Sequence, residues 1–180
     1  MARANRREDF LAVALELFVE RGYEGTSVAD LAAGAGLSKA AFVYHFGSKE
    51  DLLVELSEPL LDELDAVLDR HQSAPPAERR PEAALADYLD ALHRHQRVAQ
   101  WIDGDKSVLN HEHLGARLRE NSNRVHRLLS GRARPSRRAR ALSSAVLGML
   151  WRPIRNGHLP DDPASHQAVV AMAARAVDSI

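Results

Sequence analysis

The chain contains no cysteine. That excludes a disulfide scaffold, a cysteine-ligated zinc finger and a thiol nucleophile. It also has no apolar run near the roughly 18 residues a membrane span needs, and Met1 to Arg7 lacks the apolar core of a signal peptide. The expectation is a soluble, cytoplasmic protein. Charge of one sign is missing too: 24 Lys+Arg against 25 Asp+Glu leave a net −1. Bulk basicity therefore gives no sign of nucleic-acid binding, and any DNA contact must rest on local placement. Aromatic residues make up only 5% of the chain, and three lysines stand against 21 arginines. No G-x-S-x-G, glycine-rich phosphate loop or H-E-x-x-H occurs, so nothing signals an enzyme and no cofactor is implied. At 180 residues, the chain is long enough for a buried core in one domain or two small ones.

What is present reads as helix almost throughout. Between Glu8 and Val19, Leu11, Ala14, Leu15 and Phe18 fall on one helical stripe, and Gly22 suits the end of that helix. Ser27 and Asp30 spell a capping box for a second helix from Thr26 to Ala33. Gly34 and Gly36 break it, and Ser38 opens a third to about His45. Ser48 to Asp51 opens a long fourth helix towards Arg70, carrying Leu52, Leu53, Leu56, Leu60, Leu61, Leu64 and Leu68, with Pro59 interrupting its hydrogen-bond ladder. A loop holding Pro75 and Pro76 follows. Further helices are expected over Pro81–Trp101, Glu112–Leu129, Ser136–Trp151 (stopped by Pro153) and from Pro163 to near Ile180. The predicted fold is all-α with about nine helices, divided into residues 1–47 and 48–180.

Two short helices joined by a glycine-containing turn form a helix-turn-helix candidate, with Ser38–His45 as the recognition helix. Leu31, Ala35, Leu37 and Phe42 supply the apolar inner faces it needs, though an ordinary three-helix corner would show the same pattern. The order Phe18, Arg21-Gly22-Tyr23, Gly25-Thr26-Ser27-Val28-Ala29-Asp30-Leu31-Ala32, Gly36-Leu37-Ser38-Lys39, Tyr44-His45-Phe46 and Ser48-Lys49-Glu50-Asp51-Leu52-Leu53 closely resembles the TetR-type family of transcriptional repressors. The match covers residues 8–53. The rest of the chain shows only a compatible helix count.

The resemblance implies a ligand-responsive, sequence-specific repressor that leaves a near-palindromic operator when a small-molecule effector binds. The alternative is a ligand-independent regulator or activator working through protein interactions. It implies roles for Thr26 or Ser27 at a phosphate, for Ser38 and Lys39 at phosphate or a base edge, for Tyr44 and His45 at the backbone, and for Lys49 at a phosphate. Ala40, Ala41 and Val43 depart from the family pattern. Ala41 replaces a hydroxyl and Val43 a tyrosine, which turns readout towards thymine methyls and an operator with A·T pairs under this helix. Arg3, Arg6 and Arg7 read either as a basic arm reaching into a groove or as a solvated tail.

For the C-terminal part, the resemblance implies a homodimer through the last two helices, with stripes of Leu142, Ala145, Val146 and Met149 and of Val169, Met172, Ala173 and Ala176. An intramolecular core explains these stripes as well. A pocket for an apolar or amphipathic effector is expected among Tyr88, Leu92, Gln96, Trp101, His126 and Trp151. His93-x-His95, His111-x-His113 and Asp90-x-x-His93 are poor joint ligands on a helix, so no metal site is predicted. Residues 121–160 hold nine arginines and no acid, which suits a solvated segment or a site for an anion.

Overall fold

The structure is a computed structural model that describes residues 2–75 and 78–180, with side chains from Arg7 onward. Pro76 and the side chains of Arg3 and Arg6 lie outside the described residues. Among the described residues there are ten helices and no strand: α1 (Ala2–Arg21), α2 (Val28–Gly34), α3 (Lys39–Phe46), α4 (Lys49–Ser73), α5 (Pro81–Arg94), α6 (Gln96–Gly104), α7 (Lys106–Asn110), α8 (Glu112–Ser130), α9 (Arg137–Arg155) and α10 (Pro163–Val177). None is long and apolar enough to cross a membrane.

Four boundaries differ from those the sequence suggests. Helix α1 starts at Ala2 rather than Glu8, because Ala2 to Arg7 contains no residue that breaks a helix. The single helix expected over Pro81–Trp101 is two, divided at His95, whose φ of −106° and ψ of 31° depart from helical values. The His95 ring is held by Glu63 on α4, Nε2 to Oε2 2.8 Å, and the break re-aims α6 so that Trp101 reaches Phe18. A one-turn helix, α7, follows where a plain break is expected, because Asp105 caps it through the amide of Ser107. Pro153 does not stop α9, which continues to Arg155. A proline in the last turn forfeits one donor, and its own carbonyl then accepts from the amides of His158 (2.9 Å) and Leu159 (3.3 Å).

One apolar core runs through the chain from Phe10 to Ala173. Its N-terminal end is aromatic: Phe10 stacks on Phe46 with ring centroids 3.9 Å apart, and Phe42 tilts against both. Along α4, Leu52, Leu53, Leu60, Leu61, Leu64 and Leu68 are completely or almost completely buried. The acids of α4 are partly neutralised by α8. Arg117 pairs with Asp65 (2.9 Å) and Asp62, and Arg124 with Asp65 (3.2 Å) and Asp69. Of the arginines in the acid-free stretch, Arg132, Arg134, Arg137, Arg138, Arg140, Arg152 and Arg155 stand exposed.

Phe42 is fully buried at the centre of the aromatic cluster. Replacing Phe42 with Ala should lower stability by about 3–5 kcal/mol, read from urea denaturation of the two proteins.

Candidate nucleic-acid interface

Local chemistry starts each of the two short helices at its residue. Ser27 caps α2, its Oγ accepting from the Asp30 amide at 3.1 Å while Asp30 Oδ2 accepts from the Ser27 amide at 2.9 Å. Those hydrogen bonds from Ser27 hold the Asp30 carboxyl below its ordinary range. The turn that follows needs a left-handed residue, and Gly36 supplies it with φ of +65°. Ser38 then caps α3 by accepting from the Ala41 amide at 3.1 Å.

Helix α3 is split lengthwise. Phe42 and Phe46 face inward, whereas Lys39, Ala40, Val43, Tyr44 and His45 are exposed and Ala41 is half-buried. Val43 at 50% and Tyr44 at 78% exposure are large apolar groups left in solvent. An ammonium at Lys39, hydroxyls at Ser38 and Tyr44, and the methyls of Ala40 and Val43 thus share one outward surface, with the exposed Ser27 at the head of α2. Such a surface can touch phosphates at few points and offers apolar contact between them.

Two expected phosphate contacts turn inward instead. Thr26 is completely buried. Its hydroxyl donates to the carbonyls of Gly22 (2.9 Å) and Leu17 (3.3 Å). The Lys49 ammonium donates to the carbonyls of Tyr23 (2.9 Å) and Thr26 (3.2 Å) and sits 4.1 Å from the centre of the Tyr23 ring. Both groups serve carbonyls in the last turns of α1 and in the connector to α2. Arg7, the described member of the N-terminal basic group, donates to the His45 carbonyl at 3.0 Å, pairs with Glu55 at 2.6 Å and lies over the Phe46 ring.

The connector between α1 and α2 is also gripped from the far part of the chain. Asp105 Oδ2 accepts from the Tyr23 amide at 2.6 Å and from Trp101 Nε1 at 3.3 Å; its Oδ1 accepts from the Ser107 amide (3.0 Å) and hydroxyl (2.6 Å). Partial burial raises the Asp105 pKa, and the hydrogen bonds from Ser107, Tyr23 and Trp101 outweigh that, leaving it below the ordinary 3.8. Sequence reasoning missed Asp105. An acid after Gly104 gives no signal when its partner is 82 residues away.

The six residues expected to line one pocket are not gathered into one. Trp101 is stacked on Phe18, centroids 5.0 Å apart, as part of the α1 contact. Gln96 is the first residue of α6, and Leu92 is fully buried. Tyr88 donates to Asn121 Oδ1 at 2.7 Å, with Trp151 beside its hydroxyl, and burial raises its pKa. His126 is buried with Nδ1 unpartnered, and desolvation, with Arg140 nearby, lowers its pKa. Two clefts are present, and of the six residues only Trp101 borders one of them. One of about 1110 Å³ runs between α5 and α10, past Ala83, Ala86, His166, Val170 and Ala174. One of about 460 Å³ lies beside Phe18, Trp101 and Asp105. Of the dimer stripes, Val146 and Ala173 are buried in the protomer's own core, whereas Ala145 and Met172 are exposed and Leu142, Met149, Val169 and Ala176 half-buried.

A capped pair of short helices, one face locked to a core and the other presented to solvent, defines a helix-turn-helix DNA-binding domain on a larger helical body. Residues 10–56 match the bacterial regulatory proteins of the tetR family. The HTH-type transcriptional repressor KstR2 of Mycobacterium tuberculosis (strain ATCC 25618 / H37Rv) is 35% identical over 103 residues, 55% of this chain and 50% of that protein. The chain thus spans about half the length of such curated relatives. Among solved structures, the TetR-family regulator PfmR of Thermus thermophilus is 29% identical with a TM-score of 0.64, covering 94% of this chain and 97% of that one. A TetR-family member from Streptomyces coelicolor is also 29% identical, with a TM-score of 0.74 over 93% and 88% of the two chains. Residues 10–56 thus match the tetR-family DNA-binding region, and the helical body shares its fold with TetR-family regulators.

The inward and outward residues should separate under mutation. Lys39→Ala should leave the melting temperature unchanged and reduce the salt slope of DNA binding by about one. Lys49→Met should lower the melting temperature and leave that slope intact. In acid, the contribution of Asp105 to stability is fully present above its unfolded pKa and is lost as pH falls through the depressed folded value. A series of melting temperatures from pH 6 down to pH 2 should therefore decline less steeply below about pH 4 for Asp105→Asn than for the unaltered chain.

Proposed function

We propose that the protein is a ligand-responsive, sequence-specific transcriptional repressor that binds a near-palindromic operator as a homodimer and is released by an apolar or amphipathic small molecule. The exposed face of α3 carries the reading: Lys39, Ala40, Val43 and Tyr44 stand in solvent, Tyr44 edge-on to the His45 ring, while Phe42 and Phe46 fix the helix beneath them. The repressor activity carried in the name of the mycobacterial relative agrees. The contact set on this reading is Ser27, Ser38, Lys39, Ala40, Ala41, Val43, Tyr44 and His45, with the three apolar members favouring thymine methyls. Two recognition helices related by a two-fold axis would meet half-sites about 34–36 Å apart.

The dimer surface on this reading is the outer face of α9 and α10, where Leu142, Ala145, Met149, Val169, Met172 and Ala176 leave an apolar, small-residue stripe partly in solvent. Met172, 57% exposed, is its most prominent group. The effector site on this reading is the buried region of the body that holds Tyr88, Leu92, His126 and Trp151, where the unpartnered Nδ1 of His126 is a polar atom available to a ligand.

The test is selection of binding sites from random DNA, followed by titration at two salt concentrations. A recovered palindrome with A·T pairs beneath α3 supports the reading, and failure to enrich any sequence counts against it. Met172→Glu should convert the dimer to monomers in sedimentation and weaken operator binding at least tenfold, because two half-sites are then no longer bound as a unit.

A further inference from the structure

The N-terminal helices touch the body through few directional contacts. Among the described residues, the polar ones joining residues 7–47 to helices beyond α4 are the exposed pair between Arg97 and Glu16 and the hydrogen bond from the Tyr23 amide to Asp105. An exposed pair between long side chains fixes little geometry. The Asp105 bond is different in kind. It is short, made to an ionised group and partly buried, and its acceptor is held in place by Ser107 and Trp101. Its donor is equally constrained. Gly22 takes φ of +76°, which a residue with a side chain rarely adopts, and a Cβ there would lie 3.5 Å from Asp105 Oδ2. Tyr23 is further held by Lys49 on its carbonyl and by the edge of the His111 ring, centroids 6.4 Å apart. The Phe18–Trp101 stack lies alongside. Stacked rings resist separation while tolerating slippage; a short bond to a capped carboxylate sets direction.

We propose that Asp105 is a positioning residue for DNA recognition: by clamping the Tyr23 amide it fixes the angle of α3 relative to the body, and hence the half-site spacing a dimer accepts. The spacing clause rests on the reading of the protein as a dimeric operator-binding regulator. The angle clause does not.

The experiment uses the full chain with Asp105→Ala and Asp105→Asn. Because the chain has no cysteine, spin labels can be placed through Tyr44→Cys on α3 and Arg119→Cys on α8. The distance between them is then read by pulsed electron resonance in each background. A narrow distribution with Asp105 or Asn and a broadened or shifted one with Ala is expected, because an amide oxygen still accepts from Tyr23 and Trp101 whereas a methyl does not. An unchanged distribution in Asp105→Ala overturns the proposal.

In parallel, affinity is measured on the selected operator and on versions with one base pair added or removed between half-sites. The unaltered chain and Asp105→Asn should discriminate between spacings. Asp105→Ala should lose about tenfold of that ratio, as expected for a hydrogen bond to a charged group. An equal loss on every spacing would mean that fewer molecules are folded and would overturn the spacing clause. If the unaltered chain selects no DNA sequence, the regulator reading fails, and the label distances alone decide the role of Asp105.

Discussion

One face of helix α4 is buried from Leu52 to Leu68, and this constraint organises the rest of the molecule. Its first two turns put Leu52 and Leu53 beneath α1 and α3, while Leu60, Leu61, Leu64 and Leu68 form the floor for α5 and α8. A helix of 25 residues is about 37 Å long at 1.5 Å per residue. One continuous helix thus enters both the aromatic cluster of Phe10, Phe42 and Phe46 and the aliphatic core of the body. The acids that α4 cannot bury are arranged for the same purpose. Asp62, Asp65 and Asp69 form a ladder that meets Arg117 and Arg124 of α8, and this keeps α8 in register without adding apolar surface.

Where the determinants of structure are local, they could be read directly from the sequence. Ser27 with Asp30, Ser38, and Ser48 with Asp51 make their caps within four residues, so each helix start announces itself. The aromatic and leucine stripes are equally legible, because helical periodicity assigns a face before any partner is known. The misreadings share a long-range cause. The family resemblance places Thr26 and Lys49 at phosphates. Both turn inward onto carbonyls in the last turns of α1 and in the connector after it, partners that come within reach only once α1, α2 and α4 meet. The break at His95 depends on Glu63, 32 residues earlier. Val146 and Ala173 sit on stripes broad enough to serve two surfaces, and periodicity does not say which side of the stripe faces the protomer's own core.

The electrostatic character of the reading face follows from the same reallocation. With Lys49 and Arg7 committed to protein groups, the described part of the outward surface retains Lys39 as its one lysine, together with the hydroxyls of Ser38 and Tyr44. Each phosphate neutralised contributes to affinity and to its salt dependence. A face with so few cations draws less of its affinity from that non-specific source, and more from apolar and hydroxyl contacts that form only at correct registration.

Registration is therefore the quantity the fold has most reason to control. A strongly basic domain can slip by a fraction of a base pair and keep most of its attraction, since the phosphate field varies slowly along the groove. Methyl and hydroxyl contacts decay within about an ångström of their optimum, because dispersion and hydrogen-bond geometry are short-ranged. On the proposed reading, a recognition helix with a single lysine depends on a firm mounting, and the structure has one. Phe42 and Phe46 hold α3 from below, Lys49 and Thr26 close off the connector that leads into α2, and a capped carboxylate fixes the amide of Tyr23 to the body. Placing an ionised group at that junction, rather than another leucine, gives up some apolar burial and gains a direction.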